Sequence, residues 1–114
     1  MNLAEKKCSP SSLGAPTLEI NRANELLDCL GNKWELNSNR HLEKVFKFTT
    51  FADAMAFANS IALIAEKENH HPELHIGWGK CAVEIWTHNI GGLSENDFYL
   101  AAKIEKLVKK YNEY

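Results

Sequence analysis

The sequence predicts an α+β fold: a four-stranded antiparallel sheet with helices packed on one face, in the order α-β-β-α-β-β-α. Two observations lead there. Two pairs of strand-like runs are each joined by a short polar or glycine turn, and three stretches with apolar residues at helical spacing separate and flank those pairs. Hairpins alternating with helices build an antiparallel sheet with one face to cover, and the helices cover it. A chain of 114 residues, 45% of them hydrophobic, has material for one core and not for two.

Residues 1–16 (MNLAEKKCSPSSLGAP) mix Ser, Pro, Gly and Lys without an apolar period, so they are expected to form a flexible tail before a single domain over 17–114. Thr17 is expected to cap a first helix over about 18–30. Its apolar residues Ile20, Ala23, Leu27 and Leu30 recur at helical spacing, and Gly31 stands where a left-handed residue would stop it. Trp34-Glu35-Leu36 and Val45-Phe46-Lys47-Phe48-Thr49 read as a hairpin around the polar turn at 37–40. Thr50, with Asp53 three residues on, opens a second helix with the stripe Ala54, Ala58, Ile61 and Ala65, and Pro72 ends it near His71.

The runs 74–78 and 81–88 flank Gly79-Lys80, a pair suited to a type II′ turn. Ser94 and Asp97 form a capping box with Asp in place of Glu. The stripe Phe98, Ala101, Ile104, Val108 and Tyr111 makes the last helix.

A formal charge of −2 supplies no basic footprint for direct nucleic-acid binding. Three cysteines without CxxC spacing argue against a disulfide framework or a thiolate zinc site and fit a reducing compartment. No run approaches a membrane span and no export signal opens the chain, so a soluble, cytoplasmic protein is expected.

Pairing Trp78 with Cys81 across a Gly79-Lys80 turn sets His71 opposite His88 and brings His70, His71 and His88 to one end of the sheet. Glu66, four residues before His70, faces the same cluster if the helix continues. Imidazoles exchange protons near neutral pH, so neighbouring histidines can donate one proton and accept another in a single dehydration. The blander alternative for each histidine is a hydrogen-bonded surface group, and His41 and His75 are left as such. Asp97 is explained by its cap alone, and the tryptophans by core or sheet packing. His71-x-x-x-His75 has zinc-helix spacing, but Pro72 breaks that helix. In extended chain the two side chains stand roughly 13 Å apart, too far to share a metal, which leaves a metal open only through His70 or His71 with His88 and a carboxylate.

Glu66, His70-His71-Pro72, Trp78, Thr87-His88, Gly91-Gly92-Leu93-Ser94 and Asp97, at these spacings, resemble the signature of the pterin-4a-carbinolamine dehydratases over about residues 62–102. The resemblance implies dehydration of 4a-hydroxytetrahydrobiopterin to quinonoid dihydrobiopterin, in recycling of tetrahydrobiopterin, with no metal or organic cofactor. It implies that His70, His71 and His88 bind the pterin and act as acid and base, that Glu66 and Asp97 support them, and that Trp34 lies near the pocket. The chain departs from the pattern at Asn69, where an Asp is expected, and at Leu74, often an aromatic. The family further implies a homodimer or homotetramer. Animal members also serve as dimerisation cofactors of a homeodomain transcription factor through a helix-mediated interface. A transcription-factor or hydroxylase partner and a nuclear as well as cytoplasmic location follow as alternatives.

Overall fold

Alternation along the two central strands decides where the core sits. Leu42 and Phe46 of one strand and Cys81, Val83 and Ile85 of its neighbour are buried, while the intervening side chains are more open. A computed structural model describes residues 2–9 and 16–111. Its elements are α1 (Ile20–Leu30), β1 (Glu35–Leu36), β2 (Leu42–Lys47), α2 (Phe51–Glu68), β3 (Glu73–Gly77), β4 (Lys80–Ile85) and α3 (Glu95–Val108), with short 3-10 turns at Leu3–Glu5 and His88–Ile90. The sheet is antiparallel in the order β1-β2-β4-β3. The expected α+β class and element order are those observed.

The core lies between the inner sheet face and the helices. Phe46, Phe48 and Phe57 make adjacent ring contacts of 4.8 and 5.2 Å, and Tyr111 meets Phe57 edge-on at 5.8 Å. Phe98, Leu100, Ala101 and Ile104 of α3 and Leu26 of α1 complete the cluster, fully buried or nearly so. Each such Phe, Leu or Ile side chain contributes on the order of 1.5–3 kcal/mol through burial.

Both expected N-terminal signals of the later helices form. Thr50 Oγ1 accepts from the Asp53 N–H at 3.0 Å, and Asp97 of α3 closes a capping box with Ser94. Thr17 does not cap α1. The helix starts after Glu19, because Leu18 is drawn alongside the Gly92-Leu93 segment by its N–H bond to Leu93 O at 2.9 Å. Gly31 takes φ +58 and stops the helix, its N–H returning to Leu27 O.

The second hairpin differs from the expected register. Gly77 pairs with Lys80, so the loop residues are Trp78 and Gly79 rather than Gly79 and Lys80. Gly79 has φ +71, and among the described residues Trp78 is not one of those with positive φ, the sign pattern of a type II turn. The Phe48 N–H donates to Gly79 O at 2.7 Å, which holds the turn against the end of β2. Trp78 is therefore 80% exposed at the tip instead of packed. The first hairpin is longer on its second side than expected, with β2 beginning at Leu42, because Asn37 closes the turn. Its N–H bonds His41 O and its Oδ1 accepts from the Asn39 and His41 N–H groups.

In the stretch expected to be a tail, Asn2–Ser9 lies on the domain. Leu3 is buried, Lys103 Nζ donates to Ala4 O, and Ser9 exchanges two hydrogen bonds with the Asn96 side chain. One leucine and a set of backbone hydrogen bonds hold the segment, a signal without any sequence period. Residues 10–15 of that stretch lie outside the described residues.

Candidate functional site

Two chain reversals bring the histidines together. At the end of α2, Asn69 adopts the left-handed conformation (φ 52, ψ 42). The Asn69 N–H bonds Glu66 O, and the His70 N–H reaches back to Ala65 O at 3.1 Å. This is a Schellman arrangement, and Asn is among the few side chains that accept left-handed backbone readily. The departure from Asp at 69 thus coincides with a conformation that suits Asn. The stop comes before His70, not at His71, and Pro72 then directs the chain into β3. Beyond β4, Thr87 pairs with Gly92 across a tight loop, helped by Gly91 at φ +66, and this loop presents His88. A Cβ at Gly92 would stand 2.5 Å from Thr17 Cγ2, so the close approach of the segment before α1 requires glycine.

His70, His71, Trp86, Thr87, His88, Asn69, Asn89 and Ser9 line one cleft of about 300 Å³. The three expected histidines therefore converge, although not by the expected ladder, which ends at Glu73 opposite Glu84. A larger cavity of about 520 Å³ lies among Leu3, Cys29, Asn32, Glu105 and Lys106, and no histidine lines it.

The carboxylates divide differently from the sequence expectation. His70 Nε2 lies 2.5 Å from Oδ1 of Asp97, whose side chain is fully buried. Asp97 Oδ2 accepts from the Ser94 N–H at 2.8 Å, and Thr87 Oγ1 lies 3.0 and 3.1 Å from the two carboxylate oxygens. Thr87 has one hydroxyl proton, which points at Asp97, so the 2.7 Å contact with Ser94 Oγ is donated by Ser94. Asp97 thus both caps α3 and faces His70. An ionised carboxylate only accepts, so His70 carries its proton on Nε2 and Nδ1 is left for proton exchange.

Glu66 pairs with His71, at 2.5 Å from its Nε2, and not with His70, because the helix has already ended. Both partners are open to solvent, at 53% and 76% exposure, so the pair contributes little to stability. Trp34 does not line the cleft. Its ring is buried edge-on to Phe46 at 5.9 Å and its Nε1–H donates to Glu105 Oε1 at 2.8 Å. Glu105 also receives Lys44, which gives that indole a polar partner inside the domain. Leu74 is half-buried against the core, on β3 opposite Val83.

The sequence left His41 as a surface group and Trp86 to packing, but the His41 side chain is only 15% exposed and has partners. His41 stacks on Trp86 (4.0 Å, 8°) and so does His88 (4.4 Å, 8°), while His41 Nδ1 lies 2.7 Å from Glu84 Oε2. Strand-face parity offered a partial signal for Trp86, but His41 sits in a turn with no period. Burial alone pushes the Glu84 carboxyl up; hydrogen bonds from Asn37 and His41 and the nearby His41 and His75 outweigh it and hold the group below its usual range. Among the described residues, no three His, Cys, Asp or Glu side chains are placed to share a metal ion.

The sequence profile of the family described as pterin 4 alpha carbinolamine dehydratase matches residues 16–107. The chain belongs to this family. A relative from Rickettsia canadensis, provisionally named a pterin-4-alpha-carbinolamine dehydratase, is 56% identical over 93% of this chain and 97% of its own length. One from Alkaliphilus metalliredigens with the same provisional name is 46% identical over 92% and 95%. Among solved structures, the transcriptional coactivator/pterin dehydratase from Brucella melitensis superposes with a TM-score of 0.75 at 31% identity, over 81% of this chain and 98% of that one. A pterin dehydratase-like RuBisCO assembly factor of the alpha-carboxysome shares the fold at a TM-score of 0.57 and 21% identity, over 68% and 92%. The Brucella protein is thus described as a coactivator as well as a dehydratase.

Proposed function

We propose that this chain dehydrates a 4a-hydroxytetrahydropterin, with 4a-hydroxytetrahydrobiopterin as the substrate type, in the recycling of tetrahydrobiopterin in the cytoplasm. The observation that carries the reading is the buried Asp97 carboxylate set against His70 in a cleft that His71 and His88 also line. In the reaction the C4a–O bond breaks, the departing hydroxyl takes a proton and leaves as water, and N5 gives up its proton as the C=N bond of the quinonoid product forms. Such chemistry needs one group that donates and one that accepts. His70 and His88 approach the cleft from separate chain reversals and are assigned the two proton transfers. His71 is assigned to holding the pterin, with Glu66 orienting its ring. The catalysis draws on imidazole acid/base chemistry alone, so chelator-treated protein is expected to keep its turnover.

Stopped-flow dehydration of a freshly generated 4a-hydroxypterin tests the assignment. His70→Ala and His88→Ala are expected to lower kcat by about 10²-fold or more each, and His71→Ala to raise KM chiefly. Folded His70→Ala and His88→Ala proteins that turn over like the parent would overturn it.

A second reading is a protein-binding module, favoured by the description of the Brucella relative as a coactivator as well as a dehydratase. Partner binding that survives the loss of His70 and His88 would identify it. Homo-oligomerisation belongs to both readings: α2 leaves Leu63 74% exposed with Met55 on its open side, and β1 and β3 are sheet edges. Sedimentation at micromolar concentration is expected to give a dimer or tetramer.

A further inference from the structure

His88 is the most weakly anchored of the three cleft histidines. Its side chain is exposed, and among the described residues its ring makes no hydrogen bond and is held by stacking on Trp86. Trp86 follows the last residue of β4, and His41 also stacks on its ring. His41 is in turn fixed by three connections. Its Nδ1 meets Glu84 Oε2 at 2.7 Å, its N–H donates to Asn37 Oδ1 at 3.0 Å, and its carbonyl accepts from the Asn37 N–H at 2.9 Å. Asn37 Nδ2 also donates to Glu84 Oε2 at 2.8 Å, so the turn residue binds both the His41 backbone and the carboxylate that holds its ring.

From this chain of contacts we infer that His41 is a positioning residue: through Trp86 it sets the plane of the His88 ring in the cleft. Trp86 carries two stacked imidazoles, so the indole links one ring to the other. The ring planes of each pair are nearly parallel, at 8°. Removal of His41 opens one face of Trp86 to solvent and lets indole and His88 turn together. The anchor lies on the β1–β2 hairpin and the proton-transfer residue lies beyond β4, so the device joins two parts of the sheet through three stacked rings. The catalytic consequence rests on the assignment of His88 made above; the orienting role does not.

The test uses full-length protein with His41→Ala, His41→Phe and Glu84→Gln, read in two ways. The first needs no activity. Stacking on an indole displaces the His88 ring protons upfield in the NMR spectrum, and His41→Ala is expected to lose much of that displacement. His41→Phe, which keeps a planar ring, is expected to retain it, and Glu84→Gln to lose part. The second is the kcat and KM split of pterin dehydration. His41→Ala is expected to lower kcat by roughly 10-fold, short of the about 10²-fold a misplaced group can cost, with KM nearly unchanged and His41→Phe restoring most of the rate. His88 resonances in His41→Ala that coincide with those of the parent would overturn the inference, and an unchanged kcat beside an active parent would overturn its catalytic consequence. Should the parent itself not dehydrate pterins, the functional assignment fails alone, and the ring-proton shifts still decide whether His41 orients His88. If His41→Ala does not fold by circular dichroism, Glu84→Gln decides: a partial loss of the displacement supports the clamp, and no loss refutes it.

Discussion

His70 Nε2 and Asp97 Oδ1 are 2.5 Å apart, and the same Asp97 carboxylate accepts the backbone N–H of Ser94 at the start of α3. One buried charge therefore ties the end of α2 to the start of α3 and fixes which nitrogen of His70 holds the proton. A helix cap and a site residue are here the same group.

Substitutions at Asp97 separate those two duties. Asp97→Ala removes the cap and leaves Thr87 without its acceptor, a cost of about 2–4 kcal/mol by urea unfolding. Asp97→Asn keeps the shape and much of the cap, and is expected to cost about 1–2 kcal/mol while lowering kcat at least 10-fold, since the charge facing His70 is gone. Full turnover by a folded Asp97→Asn protein would count against the role assigned to this pair.

Phe57 joins α2 to both Phe46 and Phe48 and to Tyr111, with no exposed surface. Phe57→Ala is expected to destabilise the fold by about 3–5 kcal/mol, a large share of the roughly 5–15 kcal/mol that holds a domain together. Val45, on the open sheet face and 47% exposed, is expected to change stability by under about 1 kcal/mol when replaced by Thr. Parallel denaturant titrations make the comparison.

Glu84 has a folded-state pKa held below its usual value. A depressed carboxyl pKa stabilises the fold above the unfolded pKa and loses that contribution as pH falls through the folded value. Glu84→Gln is expected to cost about 0.5–1 kcal/mol at pH 7, and the gap from the parent should close as the pH falls below about 4, where both chains carry a neutral group. A gap that widens on acidification would show that Glu84 is not stabilised as a carboxylate.

The thiols are expected to react unequally. Burial first, with Glu68 beside it, pushes the Cys8 thiol up to about 12, and burial raises Cys81 to about 11, whereas Cys29 is exposed. The thiolate is the nucleophile, so alkylation at pH 8 should label Cys29 in native protein and all three cysteines in urea. Mass spectrometry of the peptides reads the result. Labelling of Cys8 as fast as Cys29 would mean that the Asn2–Ser9 segment opens readily.

What the sequence determined by itself were features written in nearby residues. The stripes of α2 and of α3 through Val108, the Thr50 and Ser94 caps and the strand alternation depend on neighbours within a few positions and form as the local pattern dictates, whereas in α1 Ile20 of the expected stripe is exposed and Leu26, outside it, is fully buried. The spaced motif from Glu66 to Asp97 likewise marked the family, because a signature is itself a linear pattern. Tertiary structure alone decided who partners whom. A two-residue shift in the hairpin pairing moved Trp78 to the tip, and one left-handed residue, Asn69, passed Glu66 from His70 to His71. Trp34 found its partner in Glu105, 71 positions away, and His41 reached Trp86 across a sheet neighbour. Such contacts are set by the packing of elements distant in the chain, where a few degrees of backbone rotation choose between partners and no short-range period records the choice.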